Sequence, residues 1–251
     1  MKKQIVKKYS DSMEAMFFFP RRKEVAMQIL SVLKNSLRSK NMKEVVCLEI
    51  GTSAGTIANV LSEHFKKIVG IDVDTKAAIY WKKQKKKNIE FKLMDAMNLT
   101  FKDKTFDVVI TNQDYEFIFD EQKLMDEIYR VLKPGGICFF GARNKLAIME
   151  GQYNIPFLAW LPKNLAKKYI EATGRKKYIL AKYMTMWELQ SICKKFIIKD
   201  YTIKILQNPE KFNYNKIKKY KPIINLFPSS ILSFFKFLVP NFIWVLQKPR
   251  G

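Results

Sequence analysis

Histidine is almost missing from this chain, cysteine is scarce, and acids are outnumbered by bases. Its 251 residues hold one His, three Cys, and 46 Lys and Arg against 23 Asp and Glu, a formal net charge of +23. A lone His64 and an odd set of cysteines (Cys47, Cys138 and Cys193) offer no metal-ligand spacing and no disulfide framework. The cysteines read instead as reduced core residues of a cytoplasmic protein. A clean apolar run of about 20 residues is also lacking. Residues 222–245 come nearest, but Pro228, Ser229, Ser230, Lys236 and Pro240 interrupt them, so no transmembrane helix is expected. The charged opening 1–8 leads into no apolar segment, so no secretory signal is expected either. The positive charge raises the local concentration of anions at the surface, but a general bias toward lysine explains tracts such as 82–87, which read as a solvated helix end.

What is present is an alternation of strands and helices, with 48% hydrophobic residues to fill a core. Residues 45–50 form a short apolar run that ends on Glu49 and Ile50 and breaks into Gly51-Thr52-Ser53-Ala54-Gly55, after which 56–61 take up a helical period. Glycine permits the tight turn and lets backbone N–H groups approach a ligand at the start of the helix. Further strands are predicted over 68–72, 89–95, 106–112 and 137–140, the first closing on Asp72, where doubly wound sheets bind ribose hydroxyls. Gly51 and Gly55 have no third glycine at the spacing that favours a dinucleotide pyrophosphate, which argues against NAD. The Tyr129…Lys133 pair sits at the end of a helix just before Pro134, the wrong context for a dehydrogenase site.

From 44 to about 141 the chain resembles the class I S-adenosylmethionine-dependent methyltransferases of the ubiquinone/menaquinone-methylase-like type. Arg130-Val131-Leu132-Lys133-Pro134-Gly135-Gly136 is the most diagnostic piece. The resemblance implies one domain over 1–251 with a doubly wound, seven-stranded, mostly parallel Rossmann-like sheet, its last strand antiparallel between the fifth and sixth. It implies that Glu49, Gly51, Thr52, Ser53 and Gly55 hold the methionine end of S-adenosyl-L-methionine and that Asp72 holds the ribose. Val73 would flank the adenine, Asp95 and Ala96 meet its edge, and Asn112 closes the floor. Ser53 stands where a middle glycine is common, and would either crowd the cofactor or donate a hydrogen bond to it. A cationic sulfonium suits the carboxylates of Glu49, Asp72 and Asp95.

A helix is predicted over 185–196, a sixth strand over 196–206 and a seventh over 241–248, leaving two insertions, 142–183 and 207–240, expected to form one lid over the ligand edge. Each joins an aromatic stretch to a basic one. The first has Tyr153, Phe157 and Trp160 before Lys163, Lys167, Lys168, Arg175, Lys176 and Lys177; the second has Lys211, Lys216, Lys218, Lys219 and Lys221 before Phe227, Phe234, Phe235 and Phe237. That pairing suits a substrate with an anionic and an apolar part, or a membrane surface. The alternative is that these aromatics simply pack the lid onto the sheet. A looser resemblance of 143–166 to an insertion in bacterial and archaeal methyltransferases of polysaccharide and lipid pathways points to the same substrate class.

Methyl transfer is an in-line displacement in which positioning alone supplies much of the rate, and a base is needed only when the nucleophile holds a proton. A histidine common in relatives is replaced by Phe117, another by Gln152, and His64 lies far from the methyl position. The candidates flanking that position are Asp114, Tyr115, Glu150 and Tyr153. The expected activity is methylation of an amphipathic small molecule: a lipid, a quinone precursor or a lipid-linked sugar. An RNA methyltransferase, favoured by net charge alone, and a non-catalytic binder of the cofactor are the alternatives. Nucleic acid is the lesser partner, because Asn112-Gln113-Asp114-Tyr115 is not the Asn-Pro-Pro-Tyr type used on exocyclic amines.

Overall fold

The computed structural model describes residues 19–37, 41–151, 153–174 and 181–250; the readings made on 1–8, Gln152 and 175–177 lie outside them. The seven strands are β1 (Val46–Ile50), β2 (Lys67–Asp72), β3 (Ile89–Leu93), β4 (Phe106–Asn112), β5 (Leu132–Arg143), β6 (Ile197–Asp200) and β7 (Asn241–Gln247). They form one sheet in the order β3-β2-β1-β4-β5-β7-β6. The first five pair in parallel, and β7 runs antiparallel between β5 and β6, as the resemblance implies.

Alternate residues of each central strand enter opposite layers. Leu48, Ile50, Val109, Phe140 and Trp244 face one side with Leu124 and Ile128 of helix α3 (Glu121–Val131) and Leu189 of α5 (Met186–Ile192). Cys47, Val108, Ile110, Phe139 and Val245 face the other side, against α1 (Phe19–Ser36) and α2 (Thr56–Leu61). The period of two therefore divides the core into two layers with helices on both faces. Helix α1 has no counterpart in the strand-by-strand reading; Ala26, Ile29, Leu30 and Leu33, spaced three and four apart, bury its stripe. The three cysteines are free and buried.

Two boundaries differ from expectation. The sixth strand stops at Asp200, and α6 (Thr202–Gln207) follows, because the Asp200 carboxylate accepts the Thr202 N–H at 2.9 Å and starts a helical turn. Alternation at 201, 203 and 205 fits a strand, but Ile205 N–H closes on Tyr201 O at 2.9 Å, placing both side chains in one core layer. Helix α5 is shorter than predicted; Thr185 opens it with a capping box to Glu188, and Cys193 ends it. Among the described residues no helix is long and apolar enough to cross a membrane.

The first insertion folds partly on itself. Ile155 and Leu158 pack with Ala166 and Ile170 of α4 (Lys163–Ala172) in a small core of their own. The second insertion runs through the short helices α7 (Lys221–Ile224) and α8 (Ser229–Phe234). The insertions meet at Asn144, whose side-chain amide donates to the backbone carbonyls of Phe237 at 2.6 Å and Val239 at 2.7 Å.

Asp107 at the start of β4 joins three strands: it accepts the Val46 N–H of β1 at 3.0 Å and the Lys133 ammonium of β5 at 2.9 Å, with its own side chain buried. Asp107→Ala should lower stability by about 2 kcal/mol in urea melts, the cost of leaving a buried N–H and a charge unpaired. Asp107→Asn, which keeps an acceptor for Val46, should lose less.

Candidate functional site

The parallel strands on either side of β1 and β4 turn away in opposite directions, opening a crevice at their C-terminal ends. The loop after β1 fits into that crevice closely. Gly51 has φ 67° and Gly55 φ 79°, and a Cβ on Gly51 would stand 2.0 Å from Asp114 Oδ1. One on Gly55 would strike the Phe91 ring at 2.6 Å. Only glycine allows both the left-handed backbone and the approach. Ser53 N–H donates to Asp72 Oδ2 at 2.7 Å, and Asp74 N–H donates to Oδ1 at 2.9 Å, so Asp72 ties the loop to the end of β2. Thr52 Oγ1 donates to Glu49 at 2.6 Å, and the Trp81 indole N–H donates to Ser53 O at 2.7 Å. Ser53 itself has φ 50°, and its hydroxyl is buried with no hydrogen-bond partner.

On the other side of the crevice, Thr111 Oγ1 and Asn112 N–H donate to Asp114 Oδ2 at 3.0 and 2.8 Å. The Asn112 amide lies over Gly141, where a Cβ would be 2.1 Å from Asn112 Oδ1. Burial pushes the Glu49 and Asp114 carboxyls up to about 7 each, against the hydrogen bonds they accept, and raises Asp72 as well. The positive charge that moderates Glu49 and Asp114 is Arg22, from the first turn of α1. Glu116 is raised by burial although Arg143 faces it, Nη1 to Oε2 at 3.0 Å, with the Arg143 backbone N–H on Oε1 at 3.1 Å.

Many of these groups border a cavity of about 1100 Å³ whose lining carries charges of both signs, Glu24 and Glu116 among them, with Glu116 paired to Arg143 and Glu24 to Lys216. Asp72, Asp74, Asp95 and Asp114 line the part beside Gly51 and Ser53, with Val73, Ala96 and Asn112. Arg21, Arg22, Arg143, Lys163, Lys182 and Lys216 also line the cavity, interleaved with apolar Val25, Leu206 and Ile217. Both insertions thus reach it, the first through Lys163 and Lys182, the second through Lys216, Val239 and Pro240. Glu49, Thr52 and Gly55 stand behind the lining and shape the loop.

Three of the four catalytic candidates need correction, since only Asp114 borders the cavity. The Tyr115 side chain is fully buried, its hydroxyl donating to Arg143 O at 2.7 Å and accepting from Met184 N–H at 3.2 Å. Glu150 is buried, accepting from Tyr153 N–H at 2.7 Å and from the Tyr183 hydroxyl. Tyr153 packs on the small core of the first insertion. The Tyr115 hydroxyl and the Glu150 carboxylate are thus committed to holding that insertion. The motifs do not point to Arg21, Arg22, Glu116 or Lys182, all of which line the cavity. The basic pair directly before the amphipathic run of α1 was the signal available for the first two.

The profile of a family described as "Methyltransferase domain" matches residues 48–140, the stretch that carries the glycine loop, Asp72, Asp95 and β1 to β5. Over residues 48–140 the chain carries a methyltransferase domain of the class I S-adenosylmethionine-dependent kind. A ubiquinone biosynthesis O-methyltransferase from Pelagibacter ubique is 29% identical to it over 143 residues, 53% of this chain and 58% of that protein. A demethylmenaquinone methyltransferase from Lactococcus lactis is 33% identical over 102 residues, 38% of this chain and 40% of that one. The methyltransferase chain thus spans about half the length of the curated relatives it matches. In structure it is similar to Haemonchus contortus phosphoethanolamine N-methyltransferase 2, solved with phosphomonomethylethanolamine and S-adenosylhomocysteine, at a TM-score of 0.59 and 18% identity. That match covers 99% of this chain and 60% of the other, and shows the shared fold.

The raised carboxyls give this methyltransferase domain a pH dependence of defined sign. Glu49 holds its proton more tightly folded than unfolded, so its contribution to stability is present below about 4.5 and is lost as pH rises toward 7. Glu49→Gln should therefore gain on the parent chain between pH 5 and 8, by up to roughly 3 kcal/mol, in cofactor-free thermal or urea melts. Equal pH slopes for the two chains would show that Glu49 is ionised in the fold at pH 5.

Proposed function

We propose that this chain transfers a methyl group from S-adenosylmethionine to an amphipathic small molecule with an anionic part: a lipid, a quinone precursor or a lipid-linked sugar. The observation that carries the reading is one cavity with carboxylates at the glycine loop and, among its other lining groups, six bases against the two acids Glu24 and Glu116. Its volume of about 1100 Å³ exceeds the roughly 300–1,000 Å³ usual for a single small ligand. An acceptor of this kind would be met at the cytoplasmic surface of a membrane.

The glycine loop supports the cofactor half. Gly51 leaves no side chain in the approach, and the partnerless Ser53 hydroxyl gives a bound ligand a hydrogen bond the protein does not use. In this reading Gly51, Thr52, Ser53 and Gly55 shape the seat of the methionine end, with Glu49 behind it. Asp72 takes the ribose, its oxygens held in place by Ser53 and Asp74 N–H. Val73 flanks the adenine, Asp95 and Ala96 meet its edge, and Asn112 forms the floor. The bound cofactor supplies a sulfonium-activated methyl group. The chain contributes carboxylates that favour a cation in a desolvated cleft, and walls that align the acceptor. Asp114, with a carboxyl at about 7, is a group on the cavity able to take a proton near neutral pH if the accepting atom carries one; Glu116, also on the cavity, is held in its pair with Arg143.

Calorimetry should show binding of S-adenosylmethionine and none of NAD. Asp72→Ala should weaken binding about 10- to 100-fold, the loss of one or two charged hydrogen bonds. Failure of the parent chain to bind, or tighter NAD, overturns the cofactor reading.

Labelled methyl transfer into total lipid and total RNA extracts tests the acceptor. Label should enter the lipid fraction. Label in RNA, which the charge of +23 would favour, reverses the substrate class. Label in neither leaves a cofactor-binding protein without this activity.

A further inference from the structure

The second insertion presents a face that the fold leaves uncovered. No residue is buried in the four consecutive pieces from Asn215 to Leu238, that is the turn Asn215–Tyr220, α7, α8 and the turn Phe235–Leu238. Large apolar side chains stand out along them, Leu226 at 77%, Phe234 at 73%, Ile223 at 61% and Phe235 at 52% exposed. The rings form a row: Phe234 lies 5.0 Å from Phe235, Phe235 lies 6.5 Å from Phe237, and Phe237 lies 6.0 Å from the exposed Trp187 of α5. A contiguous apolar surface of this kind marks a binding site.

Charge decides what covers it. From Lys211 to Gly251 the chain contains no Asp or Glu, while Lys216, Lys218, Lys219, Lys221 and Lys236 lie among or beside the exposed apolar groups. The segment is anchored by its ends: Lys221 pairs with Glu210 at 3.0 Å, Lys236 with Asp200 at 2.9 Å, and Asn144 holds Phe237 and Val239. A second copy of the chain would set lysine against lysine. RNA could stack on the rings, but Ile223, Leu226 and Ile231 offer a base no π-face and gain only from an apolar medium. Short helical pieces, aromatic and aliphatic on one side and rich in lysine, are what lie in the interface of an anionic bilayer.

We propose that the 218–238 face, with Trp187, docks this protein on an anionic lipid bilayer. The same segment is continuous at both ends with the cavity, through Lys216 and Ile217 before it and Val239 and Pro240 after it. Docking therefore sets the cavity mouth against the membrane, and an amphipathic acceptor passes from bilayer to site without crossing water. The inference goes beyond methyl transfer and is read without it.

The cofactor-free full chain is sedimented with vesicles of phosphatidylcholine alone or with about one third phosphatidylglycerol. It should bind the mixed vesicles, several-fold more weakly as salt rises to about 0.5 M but not to zero, since salt screens the lysines and leaves ring burial intact. Phe234→Ser with Phe235→Ser should cut partitioning at least about tenfold, and Leu226→Ser severalfold, with thermal stability and calorimetric cofactor binding unchanged. Lys218→Glu with Lys219→Glu should remove most of the salt-dependent part. The proposal is overturned by absence of vesicle binding or by equal partitioning of the Leu226→Ser and Phe variants. A concentration-dependent dimer dissolved by the same substitutions, or vesicle binding displaced by RNA, overturns it too. A chain that binds vesicles and methylates nothing, or the reverse, separates this inference from the proposed activity.

Discussion

Three carboxyl groups, Glu49 buried and Asp72 and Asp114 half-buried, gather at one edge of the sheet and are the constraint on which the rest of the site depends. Glu49 ends β1, Asp72 ends β2, and Asp114 follows β4; each is raised by burial. Carboxyls brought this close repel when ionised, and they stay together because each is held by fixed donors: the Thr52 hydroxyl on Glu49, Ser53 and Asp74 N–H on Asp72, the Thr111 hydroxyl and Asn112 N–H on Asp114. The glycine loop is the part shaped by them. It threads between Asp114 and Phe91 with no room for a side chain at Gly51 or Gly55, so the loop, the strand ends and the acids form one rigid unit. Arg22 of α1 is a positive group that acts on both Glu49 and Asp114 and favours their charged forms.

The basic groups of the same cavity are built differently. Arg143 is fixed by a buried pair with Glu116, at the end of the longest strand. Lys163 comes from α4, Lys182 from the chain leading to α5, and Lys216 from the second insertion, all exposed and long. The acidic groups are thus preorganised by backbone, whereas much of the basic lining rests on flexible side chains carried by insertions. Asn144 holds the arrangement together, since its amide is the bond between the insertions.

The strands and the glycine loop were readable because continuous apolar runs ending on Glu49, Asp72 and Asn112 have few other uses. Tyr115, Glu150 and Tyr153 were misjudged because nearness in sequence to the strand ends was taken for nearness to the ligand. The direction of a side chain depends on what β5 and the first insertion bring behind it, and Arg143 O, Met184 N–H and Tyr183 claim these groups. The turn at Asp200 failed for a local reason: a period of two and a single helical turn look alike over five residues, and the carboxylate on Thr202 N–H chose between them.

The order of the sheet was implied only by the resemblance of the motifs to a family; by itself the sequence determined the strands and the acids at their ends. These follow from hydrophobic period, glycine placement and strand ends, which are properties of short segments that any compact arrangement must satisfy. Only the tertiary structure decided which charges meet. Arg22 lies 27 residues before Glu49 and 92 before Asp114, and they come together only when α1 packs across α2 and the sheet. It likewise decided that the aromatics of the second insertion stay in solvent while those of β5 and β7 are buried. Both segments carry large aromatic side chains, and the difference is whether a neighbouring layer is present to cover them.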